Sequence, residues 1–195
     1  MNFKGVKVGF ALTGSHCTIP TVLFQLEALV AEGAQIFPIV STTVQTEDTR
    51  FGRAKEVLGK LKYITGNTPV GSIVDAETIG PGKLFDLIIV APCTGNTLAK
   101  LANGITDTAV LMAVKAHLRN QLPVLLAIAT NDGLSINAKN IGILLNAKLI
   151  YVVPFGQDNP LEKPNSLVAR MELILPAALN ALQGKQLQPI LLASA

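Results

Sequence analysis

A chain of 195 residues, of which 49% are hydrophobic and 15% charged, has the size of one folded domain and an apolar content that predicts self-association. Its net charge of +3 is small and its 16 Lys and Arg residues are scattered, which argues against a nucleic-acid-binding protein. The apolar runs are shorter than the roughly 20 residues that cross a membrane, and two cysteines make no disulfide framework, so we expect a cytoplasmic protein without membrane spans.

Short β-branched apolar runs bounded by turn residues predict strands that are buried on both faces. They cover residues 6–12, 35–41, 86–91, 123–129 and 149–153, with a weaker strand at 72–75. Helical patterns lie between them at residues 19–32, 49–61, 96–102, 106–118, 138–145 and 167–182. This alternation predicts an α/β fold: a three-layer, doubly wound, mainly parallel sheet with helices on both faces.

The position of the predicted ligand site follows from the order of these strands. With residues 72–75 counted as strand 3, the common doubly wound order is 3-2-1-4-5-6. In that order the sheet changes direction between strands 1 and 4, and ligands bind at the carboxyl ends of those two strands. The loops that leave them, residues 13–18 and 91–97, therefore predict one shared cleft. We treat residues 1–195 as a single domain with a possible C-terminal tail at 186–195.

The loop after strand 1 has the features of an anion site. Gly14 and Ser15 form a tight turn, Thr18 adds a hydroxyl, and Pro20 suits the first turn of the following helix. Backbone N–H groups and the helix dipole favour a phosphate at such a point, although an ordinary capped turn is an open alternative. Strand 2 ends in three more hydroxyl residues, at positions 41–43. The Gly-x-Gly-x-x-Gly and P-loop motifs are both absent.

The loop after strand 4 carries a family resemblance. Its segment Pro-Cys-Thr-Gly-Asn-Thr, residues 92–97, is similar to the Pro-Ala-Ser-Ala-Asn-Thr signature of the flavoprotein family that includes the homo-oligomeric flavin-containing cysteine decarboxylases. Pro92, Asn96 and Thr97 match, whereas the three residues between them depart. Residues 102–107, Ala-Asn-Gly-Ile-Thr-Asp, resemble the family's Ala-x-Gly-x-Ala-Asp. The resemblance implies a Rossmann-like flavoprotein fold, trimeric or larger assemblies, and bound flavin mononucleotide (FMN).

The resemblance also implies which residues contact FMN, or a phosphate in its place, with the phosphate near Ser15 and Thr42. The implied cofactor contacts are Gly14, Ser15, Ser41, Thr42, Pro92, Cys93, Thr94, Asn96 and Thr97. We expect no metal site: Cys17 and Cys93 are a redox pair or, as is commoner, separate thiols.

Candidates for catalysis are fewer. His16 lies in the predicted cofactor loop, where its ring suits acid or base chemistry, and Asn131 falls at a family position. Carboxylates of the later loops are either bases or solvated side chains: Asp132, Asp158 and Glu162. Cations that are either partners of a dicarboxylate or surface charges are Arg50, Arg53, Lys139 and Lys163.

Residues 137–146, 153–158 and 163–166 resemble one branch of the family, whose members oxidise a small cyclic dicarboxylate together with a partner subunit. NADP then enters only through that partner. Residues 77–90 lack the histidine that the cysteine decarboxylases share before strand 4, which weakens the interpretation as a decarboxylase. Two alternatives stay open: a stand-alone flavin-dependent decarboxylase or flavin-modifying enzyme, and a non-catalytic phosphate-binding scaffold.

Overall fold

The computed structural model describes residues 3–193, so Ser194 and Ala195 of the predicted tail lie outside the described residues. The described part contains a seven-stranded sheet. Its strands are β1 (Lys7–Leu12), β2 (Gln35–Val40), β3 (Leu87–Cys93), β4 (Val124–Thr130), β5 (Ile150–Val152), β6 (Phe155–Gly156) and β7 (Leu167–Ala169).

The strands are connected mainly by α-helices, with two 3₁₀ turns at His16–Thr18 and Met171–Leu173. Hydroxyl side chains at the N-caps accept a backbone N–H of the first turn in four helices, which stabilises their starts. The helices are α1 (Ile19–Ala31), α2 (Thr42–Thr46), α3 (Ala54–Thr65), α4 (Ile73–Glu77), α5 (Ile79–Gly82), α6 (Gly95–Ala102), α7 (Ala109–Arg119), α8 (Ala138–Leu145) and α9 (Ile174–Leu182).

The sheet confirms the predicted α/β fold. Strands β2, β1, β3, β4 and β5 are parallel neighbours in that order, which corresponds to the predicted order 2-1-4-5-6. The connections from β1 to β2 and from β3 to β4 run in opposite directions, so right-handed crossovers place α1 and α7 on opposite faces. Strands β1, β3 and β4 are almost entirely buried between these layers. Among residues 3–193, no helix combines the length and apolar character needed to cross a membrane.

The predicted third strand at residues 72–75 is wrong. Ser72 instead caps α4, where its hydroxyl accepts the backbone N–H of Asp75 at 3.0 Å. The chain still passes beside β2 just before this helix, in a single parallel bridge between Val70 and Ile39. Local capping therefore overrides the β preference of Ile73 and Val74, and the third position of the sheet is held by one bridge.

The predicted helix at residues 167–182 is wrong in its first part. Residues 167–169 form β7, which pairs antiparallel with the carboxyl end of β4 through Thr130 and Leu167, and only Ile174–Leu182 is α-helical. The short strand β6 pairs with β7, so residues 157–166 form the loop of a hairpin at the carboxyl edge of the sheet. Residues 190–192 continue this edge, because Phe155 exchanges backbone hydrogen bonds with Ile190 and Leu192 at 2.9 Å.

His117 on α7 is a buried histidine that we expect to make stability depend on pH. Its Nε2–H donates to the carbonyl oxygen of Pro123 at 3.0 Å, and burial lowers its pKa from 6.5 to about 4. Between these two pKa values the unfolded chain binds a proton that the folded protein does not bind. The free energy of unfolding therefore falls as the pH drops from 7 toward 4. The free energy of unfolding should decrease by about 2 kcal/mol between pH 7 and pH 5 from this group.

Urea unfolding at a series of pH values measures this slope. The variant His117→Gln keeps a donor for Pro123 but cannot titrate. The difference between its free energy of unfolding and that of the wild type should therefore shrink as the pH falls. A wild-type curve that stays parallel to that of the variant would contradict the assignment.

Candidate active site

Thr13 joins the two loops of the predicted cleft. This residue follows β1 and is 1% exposed. Its Oγ1 donates to the carbonyl oxygen of Pro92 at 2.7 Å and accepts the backbone N–H of Thr94 at 3.0 Å. One buried hydroxyl thus fixes the end of β1 against the end of β3, as the strand order predicts for adjacent strands.

A cavity of about 490 Å³ opens beside this link, and we call it the hydroxyl cavity. The hydroxyl of Ser41 accepts the backbone N–H of Val44, which leaves its proton to donate to a ligand. The hydroxyls of Thr94 and Thr97 bond each other at 3.0 Å, so one of these two also keeps a proton for a ligand. Lys100 also lines this cavity, and its ammonium group is already paired with Asp107 at 2.6 Å. The cavity is lined by Thr13, Gly14, Ser41, Thr42, Thr43, Thr94, Asn96, Thr97, Lys100, Asp107, Thr108 and Leu111.

This donor set fits a phosphate. Hydroxyls, the Asn96 amide and the N-terminus of α6 all present hydrogen-bond donors to one space, and such donors bind anions without a free positive charge. Gly14 keeps the space open, since a Cβ there would lie 3.1 Å from Cγ2 of Thr43.

A second cavity of about 320 Å³, the central cavity, adjoins the first, because Gly14 and Thr94 line both. Asn131 lines it from the end of β4, and Lys163 lines it from the β6–β7 loop. The complete lining is Gly14, Ser15, Cys17, Thr18, Thr94, Gly95, Ala129, Thr130, Asn131, Asp158, Lys163 and Val168.

The structure brings seven of the nine implied cofactor residues to these two cavities: Gly14, Ser15, Ser41, Thr42, Thr94, Asn96 and Thr97. Ser15 lines the central cavity and Thr42 the hydroxyl cavity, and the two cavities adjoin at Gly14.

The side chains of Pro92 and Cys93 do not take the predicted place in the cleft. Both residues belong to β3 and are buried in the sheet, where Cys93 pairs with Ile128. Burial raises the pKa of the Cys93 thiol, which stays protonated, whereas Cys17 is exposed. Pro92 acts through its carbonyl oxygen, which binds Thr13. These two residues therefore lie beneath the loop, and neither lines the hydroxyl cavity or the central cavity.

The two catalytic candidates lie in different places. Asn131 faces the central cavity, and its Oδ1 accepts the hydroxyl of Ser166 at 3.4 Å. His16 lines a separate cavity of about 80 Å³, together with Phe51 and Glu56, and its buried Nε2 makes no hydrogen bond within the part of the chain described. The structure thus does not assemble His16 and Asn131 into one catalytic group.

A buried polar cluster supports the floor of the central cavity, and sequence reasoning missed most of it. The carboxylate of Asp132 accepts the hydroxyl of Thr130 and the amide of Asn137, whose oxygen in turn accepts the amide of Asn140 at 2.8 Å. The hydrogen bond from Thr130, and next that from Asn137, holds the pKa of Asp132 below its usual value. Asp132 therefore serves as a fixed acceptor. Two asparagines three residues apart, one at the N-cap of α8 and one on its buried side, were the available signal.

The loop between β6 and β7 brings a charged pair to the central cavity. Lys163 Nζ lies 3.6 Å from Oδ2 of Asp158. Burial raises the pKa of Asp158, but hydrogen bonding and the positive charge of Lys163 outweigh burial and hold this pKa below its ordinary value. The other cations named from the sequence, Arg50, Arg53 and Lys139, are exposed. No group of three or more His, Cys, Asp and Glu side chains within residues 3–193 is arranged to hold a metal ion.

Comparison with known proteins agrees with this architecture. The family model described as flavoprotein matches residues 2–180. The chain belongs to the flavoprotein family. This flavoprotein is 48% identical over 190 residues to the dipicolinate synthase B subunit of Bacillus subtilis (strain 168), covering 97% of this chain and 95% of that protein.

Two solved structures resemble this flavoprotein over nearly its whole length. The crystal structure of the dipicolinate synthase B subunit from Bacillus halodurans C superposes with a TM-score of 0.92 at 52% identity, covering 100% of both chains. An FMN-dependent cysteine decarboxylase from thioviridamide biosynthesis gives a TM-score of 0.65 at 18% identity, covering 92% of this chain and 99% of that one. The second likeness shows the shared fold.

Proposed function

We propose that this flavoprotein acts as the B subunit of dipicolinate synthase and, with a nicotinamide-binding A subunit, oxidises dihydrodipicolinate to dipicolinate in the mother-cell cytoplasm of a spore-forming bacterium. The observation that carries the proposal is the full-length likeness to two such subunits, at 48% and 52% identity. The adjoining cavities at the carboxyl ends of β1, β3 and β4 support it, because they offer a phosphate site next to a space for a small ring.

The hydroxyl cavity is our proposed site for the phosphate of FMN, with Ser41, Thr42, Asn96 and Thr97 as donors. FMN supplies a two-electron acceptor when it is bound. A phosphate alone in the same cavity is the alternative ligand, and NADP enters with the A subunit. In either case the chain holds the anion with neutral donors, so binding should depend little on salt compared with a site built from lysines.

The central cavity is our proposed site for the substrate ring. Oxidation of dihydrodipicolinate removes a hydride and a proton and produces an aromatic ring, and the hydride passes to FMN or to NADP on the A subunit. Asn131, whose oxygen is bound by Ser166, offers an amide to orient the ring, and Lys163 offers a cation to a carboxylate.

We also propose that the flavoprotein forms a homo-oligomer, a trimer or a multiple of one. Large apolar side chains are strongly exposed at Phe24, Ile136 and Leu161, at 66%, 68% and 95%. In a chain that is 49% hydrophobic, such exposed apolar side chains support contacts with further copies of the chain. Light scattering on the purified chain gives the mass of the particle, and a monomer would contradict this part of the proposal.

Cofactor and activity are tested together. Purified protein mixed with FMN and then desalted should keep its yellow absorption, and addition of the A subunit with NADP should produce dipicolinate from dihydrodipicolinate. Asn96→Ala removes an amide from the hydroxyl cavity and should release FMN, whereas the control Asn146→Ala, at an exposed position after α8, should not.

The proposal fails if the wild type neither retains FMN nor restores dipicolinate formation. If Asn96→Ala abolishes FMN retention but leaves the activity of the complex intact, the chain is a scaffold that positions the A subunit.

A further inference from the structure

The cleft does not end at the central cavity. A third cavity of about 270 Å³, the distal cavity, shares Cys17, Thr18, Asp158 and Val168 with it. The three cavities therefore lie in a row along the carboxyl edge of the sheet, with the central cavity between the other two. The distal cavity is lined by Cys17, Thr18, Thr21, Gly156, Gln157, Asp158, Val168, Ala169, Arg170, Met171 and Glu172.

Arg170 is the cation of the distal cavity. It directly follows β7 and is partly buried. Its backbone is held on both sides: its N–H donates to Pro154 at 2.9 Å, and its carbonyl oxygen accepts from Leu173 at 2.8 Å. The base of the side chain is therefore fixed in place before a ligand arrives, which lowers the entropy lost on binding.

The guanidinium of Arg170 has capacity for an anion. Within residues 3–193, Arg170 takes part in no ion pair, whereas the nearby carboxylate of Asp158 is paired with Lys163. Guanidinium groups bind carboxylates through two parallel hydrogen bonds, which a lysine cannot reproduce. An arginine without an internal ion-pair partner in a partly buried cavity is suited to an external carboxylate.

We propose that Arg170 binds one carboxylate of the substrate in the distal cavity, while Lys163 binds the other in the central cavity. Lys163 is available for this contact because it lies 3.6 Å from Asp158, farther than the 2.6 Å that joins Lys100 to Asp107. This inference rests on the proposed function, which makes the substrate a cyclic dicarboxylate. It adds a binding residue and divides the substrate between two cavities.

Charge explains why both cations are needed. Asp158 lines both cavities and Glu172 lines the distal one, so an anion that lies away from Lys163 and Arg170 meets like charge. A ring with two carboxylates gives each cation an anionic partner, whereas a ring with one carboxylate leaves one cation without a partner. The site should therefore select dicarboxylates over monocarboxylates, and should hold the ring in the central cavity near Asn131 with one carboxylate directed into the distal cavity.

The test uses the complex of this chain with the A subunit, in the absence of NADP, and two probes: pyridine-2,6-dicarboxylate and pyridine-2-carboxylate. Isothermal titration calorimetry should show that the wild-type complex binds the dicarboxylate at least about tenfold more tightly than the monocarboxylate. Arg170→Gln should remove most of this difference. Arg170→Lys should give an intermediate affinity, because it keeps the charge but lacks the fork.

The matched control is Arg119→Gln. Arg119 is exposed at the end of α7, at the opposite edge of the sheet from the cavities, and this variant should keep wild-type affinity for both probes. Steady-state kinetics on the same complexes should show a KM for dihydrodipicolinate raised at least about tenfold by Arg170→Gln.

The outcomes separate this inference from the proposed function. If the wild-type complex makes no dipicolinate, the proposed function fails. If it is active but Arg170→Gln leaves the dicarboxylate affinity and KM unchanged, the role of Arg170 is overturned and the proposed function stands. Weaker assembly with the A subunit, at unchanged dicarboxylate affinity, would make Arg170 an interface residue and would equally overturn the role. If Arg170→Gln does not fold, Arg170→Lys decides, since wild-type affinity in that variant contradicts the bidentate contact.

Discussion

Gly95→Ala should destabilise the protein by about 3 kcal/mol, because the added methyl group has no space. A Cβ at this position would lie 2.5 Å from Thr130 Oγ1, 2.7 Å from Asn137 Nδ2 and 2.8 Å from Asp132 Oδ1. These three atoms belong to the polar cluster below the central cavity, so relief of the clash must break hydrogen bonds to a carboxylate. Glycine stands here, where the family signature has alanine, because the cluster occupies the place of the methyl group.

Urea unfolding of Gly95→Ala and of the wild type measures this loss of stability. Gly59→Ala is the matched control: Gly59 lies within α3, and a Cβ there meets nothing within 4 Å. That substitution should stabilise the protein by about 0.5 to 1 kcal/mol, as alanine does in a helix. Equal stability of Gly95→Ala and the wild type would show that the cluster adapts, and would remove this explanation for the glycine.

Thr13→Val should cost about 2 to 3 kcal/mol and should also weaken cofactor binding. Valine has nearly the shape of threonine but no hydroxyl, so the carbonyl oxygen of Pro92 and the N–H of Thr94 lose their buried partner. The loop that follows β3 then has no fixed position against β1. Because Gly14 and Thr94 line both the hydroxyl cavity and the central cavity, movement of this loop changes the proposed phosphate site and the substrate site together.

Thr13→Ser retains the hydroxyl and separates the two effects of the substitution. It should keep FMN retention close to the wild type and lose only the stability of one buried methyl group, about 1 kcal/mol. Thermal unfolding and the FMN desalting assay should be run on both variants. If Thr13→Val retains FMN as well as Thr13→Ser does, the hydroxyl stabilises the fold without organising the site.

Sequence patterns predicted the parallel strands and the edge that carries the site. Strands such as β3 and β4 are buried on both faces, so their continuous apolar runs identify them without knowledge of the neighbours. Two errors arose where a contact distant in sequence or a cap decides the structure. Leu167 joins the end of β4 although its surroundings follow a helical pattern, and Ser72 starts a helix within a β-branched run.

The site was predicted unevenly for the same reason. Hydroxyls that directly follow β1, β2 and β3 were found, because adjacent strands place them together. Cys93 is adjacent in sequence to those residues but its side chain is buried in the sheet, and nothing local distinguishes it from Thr94. Asn137 lies below the central cavity and Arg170 lines the distal cavity, and both are far in sequence from the loops after β1, β2 and β3. The sequence pattern assigned Arg170 to a helix at 167–182, and its position at the cleft follows from the hairpin of β6 and β7.

The hairpin of β6 and β7 also keeps the two proposed sites in separate parts of the gene. The groups that we propose for the phosphate follow β1, β2 and β3, in the first half of the coding sequence, whereas Lys163, Ser166 and Arg170 come from one short stretch near the end. Substitutions in that stretch can alter which small molecule is recognised without disturbing the backbone that receives the phosphate. An architecture of this kind allows one ancestral fold to diversify into enzymes with different substrates by changing a single hairpin.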